Sequence, residues 1–140
     1  MKLSTKGRYG VRAMYELAVR QKSAPVPLSE IAAGQEISEA YLEQLMAKLK
    51  GAGLVKSVRG AQGGYLLARD AGDITVGEIL RPLEGTVGPT ECAGEASVCP
   101  GTSCCAVHVI WERIKEGIDA VVDGITLKDV VEAGTEENHR

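Results

Sequence analysis

Apolar residues return every three or four positions in the first stretch of the chain, at Tyr9, Ala13, Met14, Leu17 and Ala18. That period predicts a helix ending near Arg20, with Ser4 or Thr5 placed to cap its start. Pro25 and Pro27 close the connection that follows. Leu28 to Ala33 reads as a short helix and Gly34, Gln35 and Glu36 as a turn. Ser38 then caps a longer helix reaching about Gly51, whose buried stripe is Leu42, Leu45, Met46 and Leu49. Gly51 and Gly53 supply its stop. Beyond them the pattern shortens. Leu54 to Arg59 predicts a strand and Tyr65 to Ala68 its returning partner, joined by Gly60, Ala61, Gln62, Gly63 and Gly64, a tip whose glycines permit positive φ.

Thr75 with Glu78 spells a capping box for a short helix ending near Arg81 and Pro82. From about Gly85 to Thr102 no period is visible, and a loop of that length in a small domain is usually functional or mobile. A long helix resumes near Ser103 and runs to Gly124. Its Val107, Trp111, Ile114, Ile118 and Val121 alternate steps of four and three, a heptad seam. Two heptads are too few for a lone coiled coil, so the seam should pack against other helices, foremost the same helix of a second copy. Thr126 and Asp129 form another capping box, opening a short helix through Val131, after which the acidic tail is expected to fray.

These elements predict a mainly α fold with a small β-hairpin wing. Residues 1–84 form a winged helix-turn-helix domain, 85–102 a ligand loop, 103–131 a dimerisation helix with a short C-terminal helix, and 132–140 a disordered acidic tail. At 140 residues the chain is one domain or one domain with an arm, and with no Phe its core must come from Val, Leu, Ile and Met. No apolar run approaches the roughly 20 residues that span a bilayer, which predicts a soluble protein with no membrane partner.

The net charge of −3 conceals a division. Residues 1–70 carry eleven Lys and Arg against six Asp and Glu, a surplus of +5, whereas residues 71–140 carry five against thirteen, −8. A basic half joined to an acidic one points to a nucleic-acid-facing module tied to something else. The second helix of a helix-turn-helix enters the major groove of duplex DNA with its N-terminal residues nearest the bases. Here Gln44 can pair with adenine and Glu43 can accept from cytosine, while Ser38 and Tyr41 suit phosphate. Arg59, beside Gly60 at the hairpin tip and three positions after Lys56, suits a minor groove. Lys2, Lys6, Arg8 and Arg12 would add phosphate contacts, so binding should depend steeply on salt.

Four cysteines and a histidine, Cys92, Cys99, Cys104, Cys105 and His108, fall within seventeen residues. Soft thiolates with an imidazole at this density suit a transition metal or an iron–sulfur cluster. Met1 leads straight into Lys2, Lys6, Arg8 and Arg12 with no apolar run, so a cytoplasmic, reducing location is expected and disulfide staples are not. Zinc satisfies three thiolates and an imidazole as well as a cluster does, and a redox-switching thiol set is a further alternative. Helical phase separates the two adjacent cysteines. Extending the seam back from Trp111 and Val107 lands on Cys104, which should face the partner helix. Cys105 and His108, at i and i+3, share the neighbouring face. Cys104, four positions before the histidine, also reaches it and stays an alternative ligand.

Three segments carry a family resemblance: Met1 to Tyr9 (MKLSTKGRY), Ile37 to Leu45 (ISEAYLEQL) and Val58 to Leu67 (VRGAQGGYLL). Over residues 1 to about 130 the chain resembles the IscR-type iron–sulfur cluster regulators of bacterial transcription. The resemblance implies a homodimeric winged-helix repressor acting on a palindromic operator and controlling cluster assembly genes. It also implies a [2Fe–2S] cluster held by three cysteines and a histidine. Cys92, Cys99, Cys105 and His108 match that pattern, with slightly different loop spacing and Cys104 as an extra thiol. Members lacking these cysteines respond to other signals, so the set places this chain in the cluster-binding branch. No Ser–His–Asp set, phosphate loop or paired acidic cleft is present and His139 stands alone in the tail, so an enzyme is not expected. An iron–sulfur carrier or scaffold would explain the cysteines but not the wing or the basic half.

Overall fold

The computed structural model describes residues 3–20, 24–85 and 104–138. Helix α1 spans Thr5–Arg20, α2 Leu28–Gln35, and α3 Glu39–Gly51. The antiparallel hairpin β1 (Val55–Val58) and β2 (Gly64–Leu67) follows, then a 3₁₀ turn at Ala71–Asp73. Helices α4 (Val76–Glu84), α5 (Cys104–Gly124) and α6 (Leu127–Asn138) complete the described chain.

The core sits where α1 to α4 and the base of the hairpin converge. Met14, Leu17, Ile31, Leu42, Met46, Leu49, Ile74 and Ile79 are fully enclosed, with Leu127 of α6 closing one side. The stripe predicted for α3 is the buried one. Ser38 caps that helix, its Oγ accepting the Tyr41 N–H at 3.2 Å. Val55 pairs with Leu67 and Val58 with Gly64, which leaves Arg59 just beyond the ladder, at the tip. Val26 pairs with Tyr65 through two bonds of 2.9 Å, adding a third short edge to the wing. Gly64 makes this possible: at φ +153° it has no Cβ to collide with the Val26 carbonyl.

Both predicted capping boxes form. Thr75 Oγ1 accepts from Glu78 N at 3.1 Å and Glu78 Oε1 from Thr75 N at 3.2 Å. Thr126 and Asp129 repeat the exchange at 3.1 and 2.9 Å. The two box residues also lie side by side in an antiparallel bridge, Leu127 N donating to Ile74 O and Val76 N to Ile125 O. The starts of α4 and α6 are thereby tied together.

Four expectations are corrected. The turn after α2 is made by Glu36, at φ +55°, and Gly34 lies inside the helix. A Cβ on Gly34 would press on the Glu16 carboxylate, so this glycine serves helix approach and not the turn. Pro82 does not end α4, which continues to Glu84. An internal proline costs roughly 3 kcal/mol, offset here by burial of Leu83 in the core and by the contacts of Glu84 with α1. The start of α1 takes its acceptor from that same distant Glu84 and not from Ser4 or Thr5. Lastly, α6 runs past Val131 to Asn138 instead of fraying from Glu132. It lies along α1, where Gly134 leaves room for the Tyr15 hydroxyl.

Candidate nucleic-acid interface and ligand segment

The head of α3, the hairpin tip and the first turns of α1 carry the residues expected to meet DNA. Glu43 and Gln44 are exposed on α3, Lys56 and Arg59 on the wing, and Lys6 and Arg8 on α1. Gly60, at φ +111°, turns the tip and is itself exposed. Lys2 lies outside the described residues. Ser38 and Tyr41 are more occupied than the sequence suggested. The Ser38 oxygen serves as the α3 cap, although its own proton stays available to a phosphate. The Tyr41 hydroxyl donates to Thr5 Oγ1 at 3.3 Å, and its ring meets Tyr9 edge-on with centroids 6.1 Å apart. Arg12 is spent in part on that cluster, its guanidinium 5.5 Å over the Tyr9 ring.

Two links were not foreseen. Lys50, in the last turn of α3, donates to Ser57 Oγ of β1 at 2.7 Å, strapping the recognition helix to the wing. On β2, burial first, and the Glu43 charge of α3 second, push the Tyr65 phenol upward. Neither contact has a local sequence signature, because each joins residues on different elements.

The cysteine-bearing segment divides differently. Cys92 and Cys99 lie outside the described residues. Cys104 and Cys105 are the first two residues of α5, and His108 stands one turn further on. His108 is half-buried, with Nε2 2.9 Å from Glu112 Oε1 on the same helix. Among the described residues no three His, Cys, Asp or Glu side chains converge on one point.

Along α5 the apolar residues fall into two sets. Val107, Ile110, Ile114 and Val121 are 43, 54, 40 and 61 % exposed. Trp111 and Ile118 are half-buried. The helix is held to α4 by charge. Arg81 forks onto Asp123, 2.8 Å at both oxygens, and reaches Asp119 at 3.3 Å. Asp119 is also held by Lys115, which with Arg81 keeps its carboxyl below the usual range. Arg81 does the same for Asp123.

Residues 3–133 match the Rrf2 family, described as an iron-dependent transcriptional regulator. The chain belongs to the Rrf2 family. Its relatives include the HTH-type transcriptional regulator IscR of Klebsiella pneumoniae, 44% identical over 131 residues, covering 94% of this chain and 80% of that protein. Among solved structures, CymR, the global cysteine regulator of B. subtilis, superposes with a TM-score of 0.80 at 43% identity, covering 95% of this chain and 98% of that one. T. potens IscR superposes at 0.77 with 47% identity, covering 98% and 90%. This Rrf2 chain is thus an IscR-type transcription regulator with the winged-helix fold read from its hydrophobic pattern. No helix among the described residues is long and apolar enough to cross a membrane.

Proposed function

We propose that this protein is a homodimeric repressor whose binding to a palindromic operator responds to a [2Fe–2S] cluster, and that it controls genes for cluster assembly in the cytoplasm. The observation that carries the reading is the donor set itself. The chain resembles both an IscR and a cysteine regulator in fold, so the fold does not select an input. Three thiols and an imidazole at Cys92, Cys99, Cys105 and His108, with Cys104 in reserve, do. The set fits the group in kind and number: soft sulfur donors, plus one neutral nitrogen fixed on a helix by Glu112. When bound, the cluster supplies a redox- and iron-sensitive tie between the cysteine segment and the start of α5.

The chain's own residues would turn that tie into a DNA response. Arg81 fastens α5 to α4, and α4 packs on α1 and α3, so the attitude of α5 is passed to the DNA-facing elements. Val107, Ile110, Ile114 and Val121 would meet the same residues of a second copy, with Trp111 and Ile118 closing the edge of the seam. The angle between paired α5 helices then sets the distance between two recognition helices, which must match half-sites roughly 34 Å apart.

Anaerobic purification tests the reading. Iron and acid-labile sulfide should be present in near-equal amounts. Stoichiometric zinc without sulfide would replace the cluster with a structural metal, and neither metal nor sulfide, with reversible thiol oxidation, would favour a redox switch. Cys105→Ala should abolish cluster retention while Cys104→Ala keeps it; the reverse would exchange their roles. A protein that failed to retard duplex DNA at physiological salt would be a carrier and not a regulator.

A further inference from the structure

The N-terminus of α1 is held by a residue eighty positions away. Glu84 Oε1 accepts hydrogen bonds from the backbone N–H groups of Ser4 and Gly7, each at 2.9 Å, and from the Ser4 hydroxyl. First-turn amides have no acceptor within their own helix and form the positive end of its dipole, so a carboxylate there is a charge-assisted cap. The backbone is shaped for it. A Cβ on Gly7 would overlap the Glu84 carboxylate, and one on Gly10 would overlap Cδ1 of buried Leu83. Glycine at both positions lets the last turn of α4 lie directly on α1.

The next residue along, Thr5, receives the hydrogen bond of Tyr41, and the Tyr41 amide is bound by the Ser38 cap. A contiguous path therefore runs from Glu84 through the first turn of α1 to the head of α3. Its two ends differ in role. Glu84 is the last residue of α4, followed by Gly85 at φ +77° and then the cysteine-bearing segment. Ser38 opens the recognition helix.

We propose that Glu84 is a positioning residue for DNA binding, which sets the pose of Tyr41 and the head of α3 by clamping the first turn of α1. The proposal rests on the DNA-binding reading above. It gives the chain after α4 a route to the DNA face, since any shift of that last turn draws the carboxylate off the α1 amides. Contiguity is not coupling, and a double-mutant cycle measures the coupling itself.

The experiment uses the full-length chain and a duplex that the wild-type protein enriches from a random-sequence pool. Glu84→Gln and Tyr41→Phe should each weaken binding about three- to tenfold, and the double variant should lose no more than the weaker single. Glu84→Ala, which leaves no acceptor, should exceed Glu84→Gln; if it fails to fold, Glu84→Gln carries the test. In the free protein, Glu84→Gln should speed amide exchange at Tyr41 and Leu42 but not at Leu49, a pattern that general destabilisation would not produce. Losses that multiply, or unchanged exchange at the start of α3, would overturn the proposal alone. A wild-type chain that enriched no duplex would overturn it together with the DNA-binding reading.

Discussion

The winged domain and α5 use similar side chains to opposite ends. In the domain, Ile31, Ile74 and Ile79 are fully enclosed by their own chain. On α5, Ile110 and Ile114 stand 54 and 40 % exposed, and none of the described side chains of that helix is fully buried. The contrast extends to what fastens each region. Apolar packing holds α1 to α4, whereas α5 meets α4 through the Arg81, Asp119, Asp123 and Lys115 charges. The core, with Leu127 closing it, encloses its apolar residues, and α5 carries the surplus. These exposed apolar residues, in regular helical register, are the ones that the proposed dimer seam would cover.

The largest effect should come from a charge in that surplus. Ile114→Glu places a carboxylate at the centre of the proposed seam, where an unpaired buried charge costs roughly 3–5 kcal/mol. Sedimentation should show a monomer that keeps its helical circular dichroism, with operator binding lost; an intact dimer would remove α5 as the interface. Truncation sharpens the comparison further. Ile79→Ala should cost about 2–5 kcal/mol in chemical unfolding, while Ile110→Ala in the monomeric Ile114→Glu background should stay within about 0.5 kcal/mol. Equal costs would mean that α5 is enclosed by its own chain after all.

On the DNA side the effects should be smaller and of two kinds. Arg59→Ala should weaken specific binding by about 1–3 kcal/mol and flatten base preference under the wing. Lys6→Ala should weaken all duplexes alike and reduce the salt slope by about one unit. If Arg59→Ala left specificity untouched, the hairpin would be a structural edge only.

The smallest effect is an acid one, at the joint between the two regions. Asp119 and Asp123 titrate below their usual value of 3.8, so the ion pairs are fully made above it and are lost as pH falls through the lowered folded values. Fluorescence of Trp111, the single tryptophan and half-buried on α5, should report this loosening below about pH 4. Arg81→Met should erase that phase; an unaltered titration would show that another group is responsible.

What could be read in the sequence follows the range of each interaction. The capping boxes at Thr75 and Thr126, the α3 stripe and the hairpin were legible because each is written within a few residues. The α1 cap was not, since its acceptor lies beyond the wing. Its trace was nonetheless present in Gly7 and Gly10, a spacing that marks a helix face approached by something bulky. Pro82 misled because burial of Leu83 outweighs a local preference. The length of α6 was missed because the support for its polar later turns comes from α1. At the candidate site, residue types named the chemistry, but Tyr41 and Ser38 turned out to be partly spent on the fold.

The bridge between Thr75 and Thr126 has a consequence for how this chain can change over time. The chain sets out from this bridge at the start of α4 and comes back to it at the end of α5, so whatever lies between is closed at its base. By chain entropy alone, doubling the length of a connection closed at both ends costs only about 0.6 kcal/mol. A residue gained or lost between Gly85 and Cys104 therefore barely burdens the folded state. The cysteine spacing is free to drift, and new inputs can be tried in that segment, while the DNA-reading half is inherited intact.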